Sequence, residues 1–154
     1  MLQIGDTIPS FELPDQQGKL VTSSDFVGKP LVIYFYPKDD TPGCTKEACS
    51  FRDTFKEYQE RGVTVIGISA DTPQAHGKFA SKYNLPFILL SDTDTSVIKA
   101  FGAWGEKKMY GKRYEGIIRS TFVINSQGKI VMVFPKVKVE DHAKEVLTAL
   151  KDTL

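Results

Sequence analysis

Six strand-forming residues in a row, Leu31-Val32-Ile33-Tyr34-Phe35-Tyr36, carry no charge and stop at Pro37. Such a run reads as a strand buried on both faces. A second run, Val63 to Ser69, has the same character. Pro86 to Ser91 is a third strand, and its leading proline points to an edge or a strand start. Thr121–Asn125 and Lys129–Phe134 flank Ser126-Gln127-Gly128 as a hairpin. Two short pieces, Phe11–Leu13 and Lys19–Thr22, surround the turn Asp15-Gln16-Gln17-Gly18 as an N-terminal β-hairpin.

Helical periods fill the gaps. One runs from Thr41 to the Arg61-Gly62 stop, one from Thr72-Pro73 to Asn84, and a short one covers 95–101. A brief helix capped by Ser23 or Ser24 ends near Gly28. The last helix begins near Val139 and packs Ala143, Val146, Leu147, Leu150 and Leu154. Gly102 to Gly116 reads as a glycine-containing, Lys-rich loop. Strands alternating with helices predict an α/β mixed central sheet with helices on both faces. A cysteine at the start of the helix after the first central strand selects the thioredoxin-like version, with the N-terminal hairpin as an extension.

Thr41 is placed as an N-cap with Pro42 in the first turn, where proline is tolerated. Cys44 and Cys49, the chain's two cysteines, follow in the same helix. At about 100° per residue, Ala48, Phe51, Phe55 and Tyr58 fall within about 40° of Cys44, on the core stripe. Cys49 falls about 140° away on the wet face. Their α-carbons are roughly 8.7 Å apart in a regular helix, whereas a disulfide wants about 4.4 to 6.8 Å. The two sulfurs therefore meet only if the first turns unwind.

With 154 residues, the chain is expected to form a single domain over 1–154. Its 20 Lys and Arg nearly cancel its 19 Asp and Glu, so charge gives no support to nucleic acid or an anionic membrane as partner. No stretch approaches the roughly 18 apolar residues of a membrane span, and the N-terminus lacks a signal-peptide pattern. A cytoplasmic protein is the expectation. Thiols in a reducing compartment are catalytic, redox-active or metal-binding more often than structural. His76 and His142 stand singly, with no second ligand at metal spacing. Asp39-Asp40 and Asp92-Asp94 read as turn and capping residues. Helix N-termini favour the thiolate through free N–H groups and the macrodipole, which gives Cys44 a function beyond packing.

Pro37, then Thr41-Pro42-Gly43-Cys44-Thr45, resembles the peroxiredoxin active-site motif, and Cys49 is similar to the resolving position of the bacterioferritin-comigratory, or peroxiredoxin Q, branch. The likeness extends to Gly5-Asp6, Pro9, Phe11 and Leu13, to Trp104–Lys112 and to Gly116–Phe122. It implies reduction of hydrogen peroxide and organic hydroperoxides without metal, flavin or other cofactor, with electrons from thioredoxin or a similar thiol reductant. It also implies the roles: Cys44 attacks, its sulfenic acid condenses with Cys49 in the same chain, and thioredoxin reopens the disulfide. Resolution within one chain requires no partner subunit, so a monomer is expected.

Peroxide cleavage needs more than a thiolate. At an ordinary thiol pKa near 8.5, roughly 3% is ionised at pH 7. Full ionisation thus gains only about 30-fold, on the order of 2 kcal/mol. The remaining acceleration must come from donors aimed at the separating oxygens. Thr41, the N–H groups of Gly43 and Cys44, and Arg119 are the candidates. Glu47 either holds Arg119 or complements the helix dipole. Trp104 and Tyr110 either cover the site or pack elsewhere. Two rival functions stay open: a general thiol–disulfide oxidoreductase, and a redox-regulated holdase or sensor that binds partners. The four residues between the cysteines, in place of the usual two, count against the first.

Overall fold

The computed structural model describes residues 1–153; Leu154, expected on the last helix, lies outside the described residues. The buried run forms β3 (Leu31–Phe35) at the centre of a five-stranded sheet, preceded by a hairpin of β1 (Glu12–Pro14) and β2 (Leu20–Thr22). The sheet is completed by β4 (Thr64–Ser69), β5 (Ile88–Ser91), β8 (Ser120–Ile124) and β9 (Ile130–Phe134), in the order β5-β4-β3-β8-β9. β3 runs parallel to β4, and β4 to β5; β8 and β9 add antiparallel. The sheet is mixed, as expected, and β5 lies at its edge. The Gln16 side chain closes part of that edge, donating to Phe87 O and accepting from Leu89 N.

The period-2 alternation of β3 divides the core. Val32, Tyr34 and Tyr36 face one apolar layer; Leu31, Ile33 and Phe35 face the other. The first layer is covered by α1 (Pro42–Asp53), α2 (Phe55–Glu60), α3 (Pro73–Tyr83) and α5 (His142–Thr153). The second is covered by α4 (Ser96–Ala100), the N-terminal hairpin and a 3-10 turn over Ser23–Phe26.

Three expectations need correction. The helix expected from Thr41 to Gly62 is two helices, because the chain leaves α geometry at Thr54 (φ −108°, ψ 6°). The Thr54 hydroxyl bonds back to Ser50 O at 2.8 Å, a local competition with helical bonding that bends helices. The last helix starts at His142, after a left-handed Asp141 (φ 55°), three residues beyond Val139. The expected loop at 102–116 is a second hairpin, β6 (Trp104–Met109) with β7 (Lys112–Ile117). Its two-residue turn places both Tyr110 (φ 53°) and Gly111 (φ 77°) in the left-handed region that tight hairpin turns require.

Candidate active site

The sheet register builds the site. Phe35 pairs with Ser120, which sets Arg119 one residue beyond β8 and level with Tyr36 and Pro37 at the end of β3. Pro37 is half-buried and breaks the strand, and the chain crosses to α1 through Lys38–Thr41. Pro42 occupies the first turn, where its missing N–H is unneeded. Cys44 then points into the first core layer and is 1% exposed.

Arg119 bridges two groups of α1. Its Nη2 donates to Cys44 Sγ at 3.1 Å, and its Nη1 to Glu47 Oε1 at 2.6 Å. A β-carbon at position 43 would sit 3.2 Å from that Nη2, so glycine there clears the guanidinium's approach to the sulfur. The Glu47 side chain is 0% exposed and meets the Arg119 guanidinium inside the fold. Burial raises its carboxyl to about 7, against the opposing pull of Arg119.

Thr41 sits at the N-cap position, but its side chain does not cap. Its hydroxyl donates to Lys38 O at 2.8 Å instead. With its proton committed to the Lys38 carbonyl, the hydroxyl oxygen is left as an acceptor. Cys49 lies half-buried on the outer side of α1, and both cysteines are free thiols. It borders a shallow cleft lined by Lys46, Ser50, Asp53 and the Val139–Asp141 segment.

Asp39 lies in a turn, as expected, and also anchors a polar network behind the loop. Asp39 is buried; it accepts from Tyr36 OH at 2.5 Å and pairs with His76 Nδ1 at 2.6 Å. His76 Nε2 faces Leu90 O at 2.9 Å, so both ring nitrogens meet acceptors. Asp71 accepts from the Asp39 N–H at 2.9 Å, and Asp40 accepts from Lys82 and Tyr83. The loop is thereby fastened to α3. His76 is not isolated either: with Asp39 and Asp71 it forms a compact group of oxygen and nitrogen atoms. Those atoms are engaged in the hydrogen bonds just described. His142 is also partnered: its Nε2 meets the Thr121 hydroxyl at 2.8 Å and its Nδ1 meets Glu145 at 3.1 Å. Burial holds it below the ordinary histidine range.

Neither Trp104 nor Tyr110 covers the cysteine. Trp104 packs against the opposite core layer with Lys99 over its ring, and Tyr110 is 97% exposed at a hairpin tip. Lys107 is a neighbour that sequence reasoning missed. It donates to Ile117 O at 2.8 Å, and burial, then Arg119, holds its ammonium below the usual lysine range.

A buried thiol at a helix start, with a guanidinium on its sulfur and a thioredoxin-like sheet beneath, defines a thiol redox protein. The AhpC/TSA family model matches residues 4–133. Peroxiredoxin Bcp of Bacillus subtilis is 48% identical over 151 residues, 98% of this chain and 96% of the relative. A cysteine-to-serine form of Xylella fastidiosa PrxQ superposes with TM-score 0.93 at 38% identity, covering 99% of this chain and 97% of that one. The bacterioferritin comigratory protein of Xanthomonas campestris, described for its alkyl peroxide reduction activity, gives TM-score 0.89 at 39% identity over 96% and 98%. The chain belongs to the AhpC/TSA family, with the peroxiredoxin Q and Bcp proteins as its relatives. It is a thiol-dependent peroxidase.

Proposed function

We propose that Cys44 is the peroxidatic nucleophile, acting on hydrogen peroxide and organic hydroperoxides, and Cys49 the resolving thiol. The observation that carries this reading is the 3.1 Å bond from Arg119 to the Cys44 sulfur at the start of α1. The thiolate attacks one peroxide oxygen, an S–O bond forms, the O–O bond breaks, and its electron pair leaves on the far oxygen. Arg119 lies beside the sulfur and offers fixed positive charge to the developing anion. The Thr41 oxygen accepts a hydrogen bond from the peroxide's own O–H and so orients it. Pro37, Pro42 and Gly43 support the geometry, and Glu47 positions Arg119. Cys44 sulfenic acid then condenses with the Cys49 thiol, releasing water, and a thioredoxin-type dithiol reduces the disulfide.

No helix among the described residues is long and apolar enough to cross a membrane. We propose that the chain works as one cytoplasmic, monomeric domain over 1–154. Steady-state peroxide consumption with a thioredoxin system, measured beside insulin reduction and client binding, tests the reading. Rapid peroxide turnover with negligible insulin reduction is expected. Slow turnover in ample reductant, with strong client binding, would make the protein a holdase or sensor instead.

A further inference from the structure

Among the described residues, four buried side-chain polar atoms lack a hydrogen-bond partner, and two lie beneath Cys44: Glu47 Oε2 and Tyr34 OH. Glu47 is fully enclosed, and its other oxygen is spent on Arg119. Tyr34 rises from β3 into the same layer; burial, then the Glu47 and Cys44 charges, keeps its phenol protonated. Arg119 thus stands between two acids of one helix face, touching Cys44 with one nitrogen and Glu47 with another. The other charges felt here are Asp39, acting on Tyr34, Lys107, which feels Arg119 and Cys44, and His142, which feels Arg119. Arg119, half-buried, is the cation in direct contact with both groups and balances one anion between them. A second anion in the same dry space would be uncompensated, which low-dielectric surroundings penalise heavily. The sulfur and the carboxyl therefore compete for a single negative charge.

We infer that Glu47 is the proton store of the peroxidatic site, holding a proton while the sulfur is anionic and releasing it when oxidation neutralises the sulfur. The inference rests on Cys44 being the nucleophile. The balance is Cys44–S⁻ with Glu47–COOH and ROOH giving Cys44–SOH, Glu47–COO⁻ and ROH. The S–O bond forms and the O–O bond breaks. The peroxide's own proton ends on the sulfenic acid, and the leaving alkoxide gains the proton Glu47 gives up. Sulfur is oxidised and the peroxide oxygens are reduced. Below its own titration, Glu47 ionises only as its competitor for Arg119 vanishes, so the fold keeps one ion pair there. The raised carboxyl of Glu47, near 7, agrees with a proton available at neutral pH.

The test is proton stoichiometry on the Cys49→Ser background, where oxidation stops at Cys44. One equivalent of hydrogen peroxide is mixed with weakly buffered protein and a pH indicator, and intact mass with peptide mapping locates the added oxygen. With Glu47 in place, no net proton uptake is expected at pH 6 and one per sulfur at pH 8.5. With Glu47→Gln added, one proton is taken up at both. Equal uptake with and without Glu47 at pH 6, with Cys44 the oxidised residue, would overturn the proton store alone. Oxygen found elsewhere than on Cys44 would overturn the functional reading beneath it. Infrared difference spectra of the Cys49→Ser protein with carbon-13 glutamate serve even if Glu47→Gln does not fold. Loss of a protonated-carboxyl band on oxidation is expected, and an unchanged glutamate spectrum would overturn the inference.

Discussion

The loop before α1 and the outer face of α1 are ten residues apart and are held in opposite ways. Asp39 and Asp40 are fastened to α3 by the buried Asp39–His76 pair, the Tyr83 hydroxyl and Lys82. On the outer face, Lys46 meets Glu140 at 3.5 Å with both side chains largely in water, an arrangement worth little. Ser50 adds one bond, accepting from the Ala143 N–H at 3.2 Å. The loop thus keeps Thr41 and the helix start in register with Arg119, while the Cys49 side of α1 can let go. Catalysis asks for both: donors that do not reorganise during attack, and a segment that opens afterwards because the two thiols begin too far apart to bond. The break at Thr54 supplies the boundary, since α2 can stay docked through buried Tyr58 while α1 unwinds.

The largest effect should come from removing the far side altogether. Cys49→Ser is expected to leave the first oxidation of Cys44 nearly untouched and to abolish thioredoxin-linked turnover. Sulfenic acid, then sulfinic acid, should accumulate by intact mass. Full turnover with thioredoxin as sole reductant would show that a different thiol source resolves Cys44.

Next comes the rigid side. Arg119→Met should slow peroxide attack by more than about 30-fold even where the thiol is fully ionised, because its charge stabilises the leaving oxygen as well as the thiolate. Stopped-flow oxidation above the variant's own thiol pKa is the measurement. Recovery of the rate there would confine Arg119 to ionisation.

A smaller effect is expected from the fastening of the loop. Asp39→Ala strands the Tyr36 hydroxyl and a His76 nitrogen in the interior, at about 3 kcal/mol. For a chain of this size that lowers Tm by about 6–12 °C. Calorimetry checks the first part. A thermal midpoint that barely moves would show that the network is dispensable and that the loop is held by packing.

This contrast also explains what could be read along the chain. Cys44 and its strand–turn–helix setting are local: a buried run, a proline, a capping position and a thiol lie within fifteen residues. The Asp39–His76 pair joins residues 37 apart, and no period or spacing marks it. Sequence reasoning could therefore only leave Asp39 in a turn and His76 alone. The β6–β7 hairpin reads as a loop because it stands off the main sheet and carries charge on both faces, so the alternation that betrays a half-buried strand is missing. Glu47, about 60° off the apolar stripe, carries no local mark of its burial, which depends on an arginine 72 residues away.

The smallest effect isolates the latch. Ser50→Ala removes the acceptor for the Ala143 N–H at the start of α5 without touching Cys44, Arg119 or the loop. The lost bond is worth about 1 kcal/mol. It exists only while this part of α1 is helical, so the unwound form gains by the same amount, about fivefold in population. Disulfide closure should therefore quicken by about fivefold, with the rate of peroxide attack unchanged. Hydrogen exchange maps the region involved: residues 44–51 should exchange faster after one equivalent of peroxide, while Phe55 to Glu60 stay protected by the Tyr58 hydroxyl bond to Ala143 O. In Ser50→Ala the same residues should already exchange faster before peroxide is added. If protection at 44–51 is equal in both redox states, the first turns do not unwind, and the two thiols must meet by some other movement of the helix.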